Sequence, residues 1–194
     1  VNIYNPIEIK KIRKSKKINN RIISVGRLEN QKNFLGLVRA FDIVSKKLPE
    51  IQLLIVGSGQ EKKELQILCK LLNLSKKVVF KEYQNPDKLI NSSKLFVLNS
   101  LWEGLPNILI ETQILKTPIL STNCFSGPSE ILINEKLGYL TPVNNHIKLA
   151  NKIIFILKNY DRAQKKALIA SQNLKRFEKN SQCKKYELFL SRFY

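Results

Sequence analysis

Short, largely apolar runs rich in β-branched residues alternate along this chain with stretches whose apolar residues recur at helical spacing, and no other feature constrains the fold as strongly. Arg21 to Val25 is such a run and stops at Gly26. Phe34, Leu37, Val38, Phe41 and Val44 then recur every three or four residues up to Pro49. The unit repeats: Leu53 to Val56 ends at Gly57-Ser58-Gly59, and Leu65, Leu68 and Leu72 mark a second amphipathic helix. Val78 to Lys81 predicts a third strand, followed by Asn85-Pro86 as N-cap and first-turn proline of a short helix. Lys94 to Asn99 predicts a fourth strand, Pro106 to Leu115 a helix and Pro118 to Ser121 a fifth strand. A short helix over Pro128 to Ile133 and a small edge strand at Gly138 to Leu140 follow, and the chain from His146 to Tyr194 reads as helical.

Strands that are apolar throughout and alternate with helices belong to parallel sheets covered on both faces. The expected fold class is therefore α/β, a doubly wound parallel sheet with a helical C-terminal tail. In such sheets ligands bind beyond the C-terminal ends of the strands, which directs attention to the loops after Val25, Val56, Phe80 and Asn99.

Composition narrows the class of function. With 43% hydrophobic residues in 194, the chain can bury a core, and no apolar run approaches the length of a membrane helix. Cys69, Cys124 and Cys183 lie far apart without CxxC spacing, which disfavours a disulfide framework or a zinc site and suits a reducing, cytoplasmic setting. The first residue is Val and the chain contains no Met, as expected of a piece of something longer. A net charge of +19 attracts nucleic acid, anionic membrane or phosphorylated substrates. Lys outnumbers Arg several-fold, however, and Ile and Asn are abundant, so compositional bias accounts for much of that charge. A basic binding module for nucleic acid or anionic membrane, without catalysis, stays as the alternative function. Its best support is the basic run Lys10 to Lys17; against it, no basic stripe is interleaved with aromatics and no motif specifies nucleic acid.

The chemistry concentrates in two loops. Gly26-Arg27-Leu28-Glu29-Asn30-Gln31-Lys32-Asn33 puts a guanidinium and an ammonium at the edge of the first strand, where a fork and a point charge together suit a diphosphate. In Ser100-Leu101-Trp102-Glu103-Gly104-Leu105-Pro106-Asn107-Ile108-Leu109-Ile110-Glu111 a strand end, a Gly and a helix-opening Pro create an anion site, and two carboxylates flank it. Carboxylates suit sugar or ribose hydroxyls. Other residues read blandly: His146 neighbours a helix cap, and Trp102 is core or pocket wall. The Gly57-Ser58-Gly59 turn fails as a dinucleotide fingerprint because Lys62 stands where a third Gly is required. A single His also leaves no Ser/His/Asp set.

These residues resemble a family. The E-x7-E spacing of SLWEGLPNILIE, with VGRLENQKN, LLIVGSG and PILST in the same order, is similar to the nucleotide-sugar-binding C-terminal domain of GT-B glycosyltransferases, in particular the retaining family 4 known as glycosyl transferases group 1. Ser126 to Leu132 resembles bacterial members that build surface polysaccharide or lipid-linked oligosaccharide. The resemblance implies a Rossmann-like donor domain over residues 22–160, a linker over 1–21 and a helical tail over 161–194. It also implies transfer of a hexose or N-acetylhexosamine from a nucleotide sugar, UDP rather than GDP, with neither metal nor cofactor. Arg27, Lys32 and Glu103 would be catalytic: the two cations neutralise charge on the leaving diphosphate, and Glu103 holds hydroxyls of the moving sugar. Gly26 and the backbone of Gly104, Leu105, Pro106 and Asn107 would approach the donor, Glu111 would bind the ribose, and Tyr83 and Gln84 would lie by the base. The implied partners are the donor, an N-terminal acceptor domain that nothing in this sequence supplies, and an anionic membrane face, with no specific nucleic acid. The isolated chain is then expected to bind donor but transfer no sugar. Lys116 stands where the family has Gly before a strand, so this helix end is expected to differ.

Overall fold

The computed structural model describes residues 3–9, 20–82 and 85–193; Lys10 to Lys17, Tyr83, Gln84 and Tyr194 lie outside the described residues. Six strands, β1 (Arg21–Val25), β2 (Gln52–Val56), β3 (Val78–Lys81), β4 (Leu95–Leu98), β5 (Ile119–Thr122) and β6 (Tyr139–Thr141), form one sheet in the order β3-β2-β1-β4-β5-β6. Every pairing is parallel, with Ile22 facing Leu53 on one side and Leu95 on the other. The strand order reverses between β1 and β4, so their C-terminal loops diverge and leave a crevice.

Because strand side chains alternate between faces, each apolar strand feeds two cores. Ile22, Leu53, Ile55, Leu95 and Val97 pack with Phe34, Leu37 and Phe41 of α1 (Phe34–Lys47), Leu65 of α2 (Lys62–Leu71) and Ile153 of α6 (His146–Lys158). Ile23, Val25, Leu54, Val56 and Phe96 point the other way. They meet Ile90 of α3 (Asp87–Ser92), Leu109 and Ile110 of α4 (Asn107–Ile114) and Ile131 of α5 (Pro128–Ile131). Asn33 caps α1, its Oδ1 accepting from Gly36 N–H at 3.1 Å, whereas the N-cap of α3 is Pro86 rather than the expected Asn85, whose Oδ1 accepts from Asp87 N–H at 3.0 Å from one residue further out. His146 is exposed at the start of α6, where Asn145 caps by accepting from Lys148 N–H.

Two features depart from the sequence reading. Residues 3–9, which fall in the expected linker, are tied into the fold. Tyr4 and Ile7 pack on the second core, and the Tyr4 ring meets Phe177 edge-on at 5.0 Å. Ile7 N–H donates to Phe177 O, Lys179 N–H donates to Ile7 O, and Tyr4 N–H donates to Gln182 Oε1. The adjacent basic run masked two apolar side chains that find a groove made by residues far along the chain. The other departure is the end of α4. Thr117 N–H donates to Thr112 O and Lys116 N–H to Gln113 O, while Lys116 takes the left-handed φ of 54° that a glycine takes in this motif. The cap is thus the ordinary one, formed by the wrong residue. Lys116→Gly is expected to raise stability by about 1 kcal/mol, since the left-handed conformation penalises a Cβ. A higher urea midpoint at unchanged slope is the result to look for.

Beyond the sheet, α7 (Tyr160–Gln172) buries Ala163, Ala167 and Ala170 and packs on α4 and α6. The last helix, α8 (Lys179–Leu190), buries only Gln182 and leaves Tyr186, Leu188, Phe189 and Leu190 exposed. No helix among the described residues is long and apolar enough to cross a membrane.

Candidate functional site

The loop after β1 is built on the loop after β2. Gly26 N–H donates to Val56 O, Leu28 N–H donates to Ser58 O at 2.8 Å, and Glu61 N–H returns a bond to the carbonyl of the fully buried Leu28. Such an approach needs glycine at residue 57, where a Cβ would stand 1.9 Å from Gly26 O. The Gly57-Ser58-Gly59 turn therefore serves backbone packing. A 3-10 turn at Asn30–Lys32 then aims Lys32 back at the sheet edge.

The loop after β4 is stitched to this one across the crevice. Asn99 Nδ2 donates to Asn33 O, Leu101 N–H to Gln31 O, and Gln31 Nε2 to Trp102 O, all at 2.8 to 3.0 Å. The stitching brings Lys32 Nζ to 2.6 Å from Glu103 Oε1, with the two side chains only 17% and 8% exposed. Ser100 Oγ donates to that same oxygen at 2.6 Å. The loop after β5 braces the assembly: Thr122 Oγ1 donates to Ser100 O, and Ser126 Oγ donates to Glu103 O. Gly127, at φ 81°, comes so close that a Cβ there would lie 2.0 Å from Gly104 O.

These loops and the start of α4 enclose a cleft of about 570 Å³, within the range of small-ligand sites. Gly26, Arg27, Lys32, Glu103, Pro106, Asn107 and Glu111 line it, which brings together most of the residues singled out from the sequence. Gly104 and Leu105 instead line an adjoining pocket with Tyr4, Ser126, Gly127 and Glu130. Tyr83 and Gln84 lie outside the described residues. Ser58 and Pro86 also line the cleft, and neither was anticipated. Ser100 was missed as well, although its three-residue spacing from Glu103 is that of a local turn bond. Trp102, expected as core or pocket wall, is instead half exposed and is not among the residues lining the cleft.

Electrostatically, the cleft joins a positive end to an acidic one. Arg27 is 68% exposed and holds two surface contacts, an ion pair with Glu29 at 3.4 Å and a bond donated to Gln31 Oε1 at 3.3 Å, so its guanidinium can turn to a ligand at little cost. The first turn of α4 has no side-chain cap, and its N–H groups open onto the cleft beside Pro106 and Asn107. Deeper in, burial, with Asp87 second, raises the Glu111 carboxyl above the usual carboxylate range. Burial pushes the Cys69 thiol up to about 11 and raises Cys124 too, so neither is an activated nucleophile. Among the described residues no group of three or more His, Cys, Asp or Glu is placed to hold a metal ion.

A doubly wound parallel sheet whose switch-point cleft is lined by cations, helix-terminal amides and carboxylates belongs to the Rossmann-like α/β class. Residues 7–176 match the family of glycosyl transferases group 1, and the chain belongs to that family. It is 44% identical over 123 residues to an uncharacterized glycosyltransferase of Methanocaldococcus jannaschii, covering 60% of this chain and 30% of that one. It is 35% identical over 125 residues to the N-acetylgalactosamine-N,N'-diacetylbacillosaminyl-diphospho-undecaprenol 4-alpha-N-acetylgalactosaminyltransferase of Campylobacter jejuni, covering 64% and 33%. Among solved structures, Staphylococcus aureus TarM in complex with fondaparinux, alpha-GlcNAc-glycerol and UDP superposes with a TM-score of 0.89 at 26% identity, covering 96% of this chain and 38% of that one. The chain thus spans less than half the length of each of these relatives.

Proposed function

We propose that this domain binds the nucleotide-sugar donor of a retaining, metal-independent glycosyltransferase that adds a hexose or N-acetylhexosamine to a surface glycan or a lipid-linked oligosaccharide. The observation that carries the reading is the Lys32–Glu103 contact at the β1/β4 switch point, which sets a phosphate-binding group beside a hydroxyl-binding one. The similarity to a TarM structure holding UDP favours uridine as the nucleoside, and the diphospho-undecaprenol relative favours a lipid-linked acceptor.

In this reading the diphosphate lies between Arg27, Lys32 and the first amides of α4, the ribose hydroxyls donate to Glu111, and hydroxyls of the sugar donate to Glu103. When the bond from the anomeric carbon to the diphosphate breaks, negative charge grows on the departing phosphate. Arg27 and Lys32 neutralise it in place. We place the acceptor-binding part of the enzyme and an anionic membrane face against α8, where exposed Tyr186 and Leu188 stand beside Lys184 and Lys185.

Calorimetry with uridine, UDP and UDP-sugars tests the donor site. Glu111→Gln should weaken uridine and UDP by the same factor, because a ribose contact is indifferent to phosphate count. Its raised pKa adds a pH signature: affinity for uridine should climb as pH rises through the raised value and the carboxylate ionises, then level off, while Glu111→Gln stays flat. Stability should run oppositely. The native carboxyl holds its proton more tightly than the unfolded one, so stability falls as pH rises from the ordinary carboxylate value to the raised one. No binding of any nucleoside diphosphate at millimolar concentration would sink the donor reading.

A further inference from the structure

Ser100, two residues beyond the end of β4, is fully buried, and its carbonyl and hydroxyl are both committed. Its carbonyl accepts from Thr122 Oγ1 at 2.6 Å, and its hydroxyl donates to Glu103 Oε1 at 2.6 Å. Thr122 is itself fully buried, so the Ser100 backbone is held from the neighbouring strand. Lys32 Nζ reaches the same Oε1 at 2.6 Å. Two donors on one oxygen leave Oε2 without a protein donor among the described residues, although Glu103 lines the cleft.

The two donors are not equivalent. An ammonium on a four-carbon stem is a mobile point charge that can follow either carboxylate oxygen. A serine hydroxyl on a buried, anchored backbone has one short reach, and it therefore decides which oxygen is spent on the protein and which faces the ligand. We propose that Ser100 is a positioning residue for sugar recognition. Acting through Glu103, it holds Oε1 so that Oε2 accepts from a hydroxyl of the bound sugar. This deepens the donor reading and rests on it.

The discriminating quantity is the ratio of affinities for a nucleotide sugar and for its nucleoside diphosphate, because general loosening of the domain lowers both and leaves the ratio alone. Calorimetry on the chain should compare wild type, Ser100→Ala, Ser100→Cys and Ser100→Thr, with UDP, UDP-glucose and UDP-N-acetylglucosamine as probes. In Ser100→Ala and the near-isosteric Ser100→Cys the ratio should fall roughly tenfold, the effect of one misplaced charge-assisted hydrogen bond. Ser100→Thr, which keeps the hydroxyl, should restore it, and in a Glu103→Gln background Ser100→Ala should change it no further. An unchanged ratio in Ser100→Ala and Ser100→Cys, or equal loss in the threonine variant, overturns the proposal. Wild-type chain that binds UDP but neither UDP-sugar overturns it too. If no nucleoside diphosphate binds wild type, the donor reading fails first and takes this inference with it.

Discussion

Lys32→Ala is expected to cost this domain both stability and ligand. The Glu103 carboxylate is almost wholly buried, and without the ammonium it keeps only the Ser100 hydroxyl. Stranding a buried charge in this way typically costs about 3 to 5 kcal/mol. In the proposed donor site the same substitution also removes a charge-assisted bond to phosphate, which should lower nucleoside diphosphate affinity by roughly one to two orders of magnitude. Denaturant unfolding and calorimetry separate the two losses. Adding Glu103→Ala should recover much of the stability and none of the binding. Arg27→Ala makes the contrast, because its exposed side chain holds only weak surface contacts, to Glu29 and Gln31. Its unfolding midpoint should barely move while diphosphate affinity falls. Unchanged affinity in both variants would refute the assignment of these two cations to the diphosphate.

Gly127→Ala should be comparably disruptive, by a purely steric route. A Cβ at this residue would lie 2.0 Å from Gly104 O and 2.6 Å from Pro106 Cδ, on a backbone at φ 81°. Overpacking costs about 1 to 3 kcal/mol, and the unfavourable φ adds about 1 more. Relief requires the Glu103–Pro106 loop to move away, which pulls Glu103 off Lys32 and shifts the start of α4. Denaturation should report a loss of about 3 kcal/mol in total, with UDP affinity reduced although no side chain of the cleft has changed. An alanine variant with wild-type stability and affinity would mean that this loop contact does not hold the site together.

The strands were readable from local pattern because burial on both faces leaves little place for polar residues: Ile22 to Val25, Leu53 to Val56 and Leu95 to Leu98 stand out against their surroundings. Strand order is another matter. That β1 lies between β2 and β4 depends on pairings between segments tens of residues apart, which no local signal carries. The cleft shows the same division. Arg27, Lys32, Glu103 and Glu111 could be singled out because strand-end loops are where such folds bind ligands. That Lys32 and Glu103 hold each other is a consequence of how two loops are stitched, and their codes are 71 positions apart. Gly104 and Leu105 line the adjoining pocket together with Gly127, whose close approach to Gly104 O is again a long-range contact. Tyr4 and Ile7 were hidden by the lysines that follow them. Lys116 shows that a missing glycine need not change a helix end, since the backbone can impose the conformation and leave the side chain strained.

The pairing of Ile7 with Phe177 and Lys179 bears on the order in which the domain is completed. This contact closes a loop of about 170 residues, an entropic cost that nearer contacts do not share. The β1–β2 pairing and the packing of α1 on α2 form within a few dozen residues of chain, α6 joins α1 later, and the two loops of the cleft can meet once β4 has joined β1. Tyr4 and Phe177 seal the second core only after a ribosome has released nearly the whole segment. A nascent chain would thus hold an assembled cleft while one flank of its core was still open to solvent, the interval in which a chaperone, or the proposed donor nucleotide, has most to offer it.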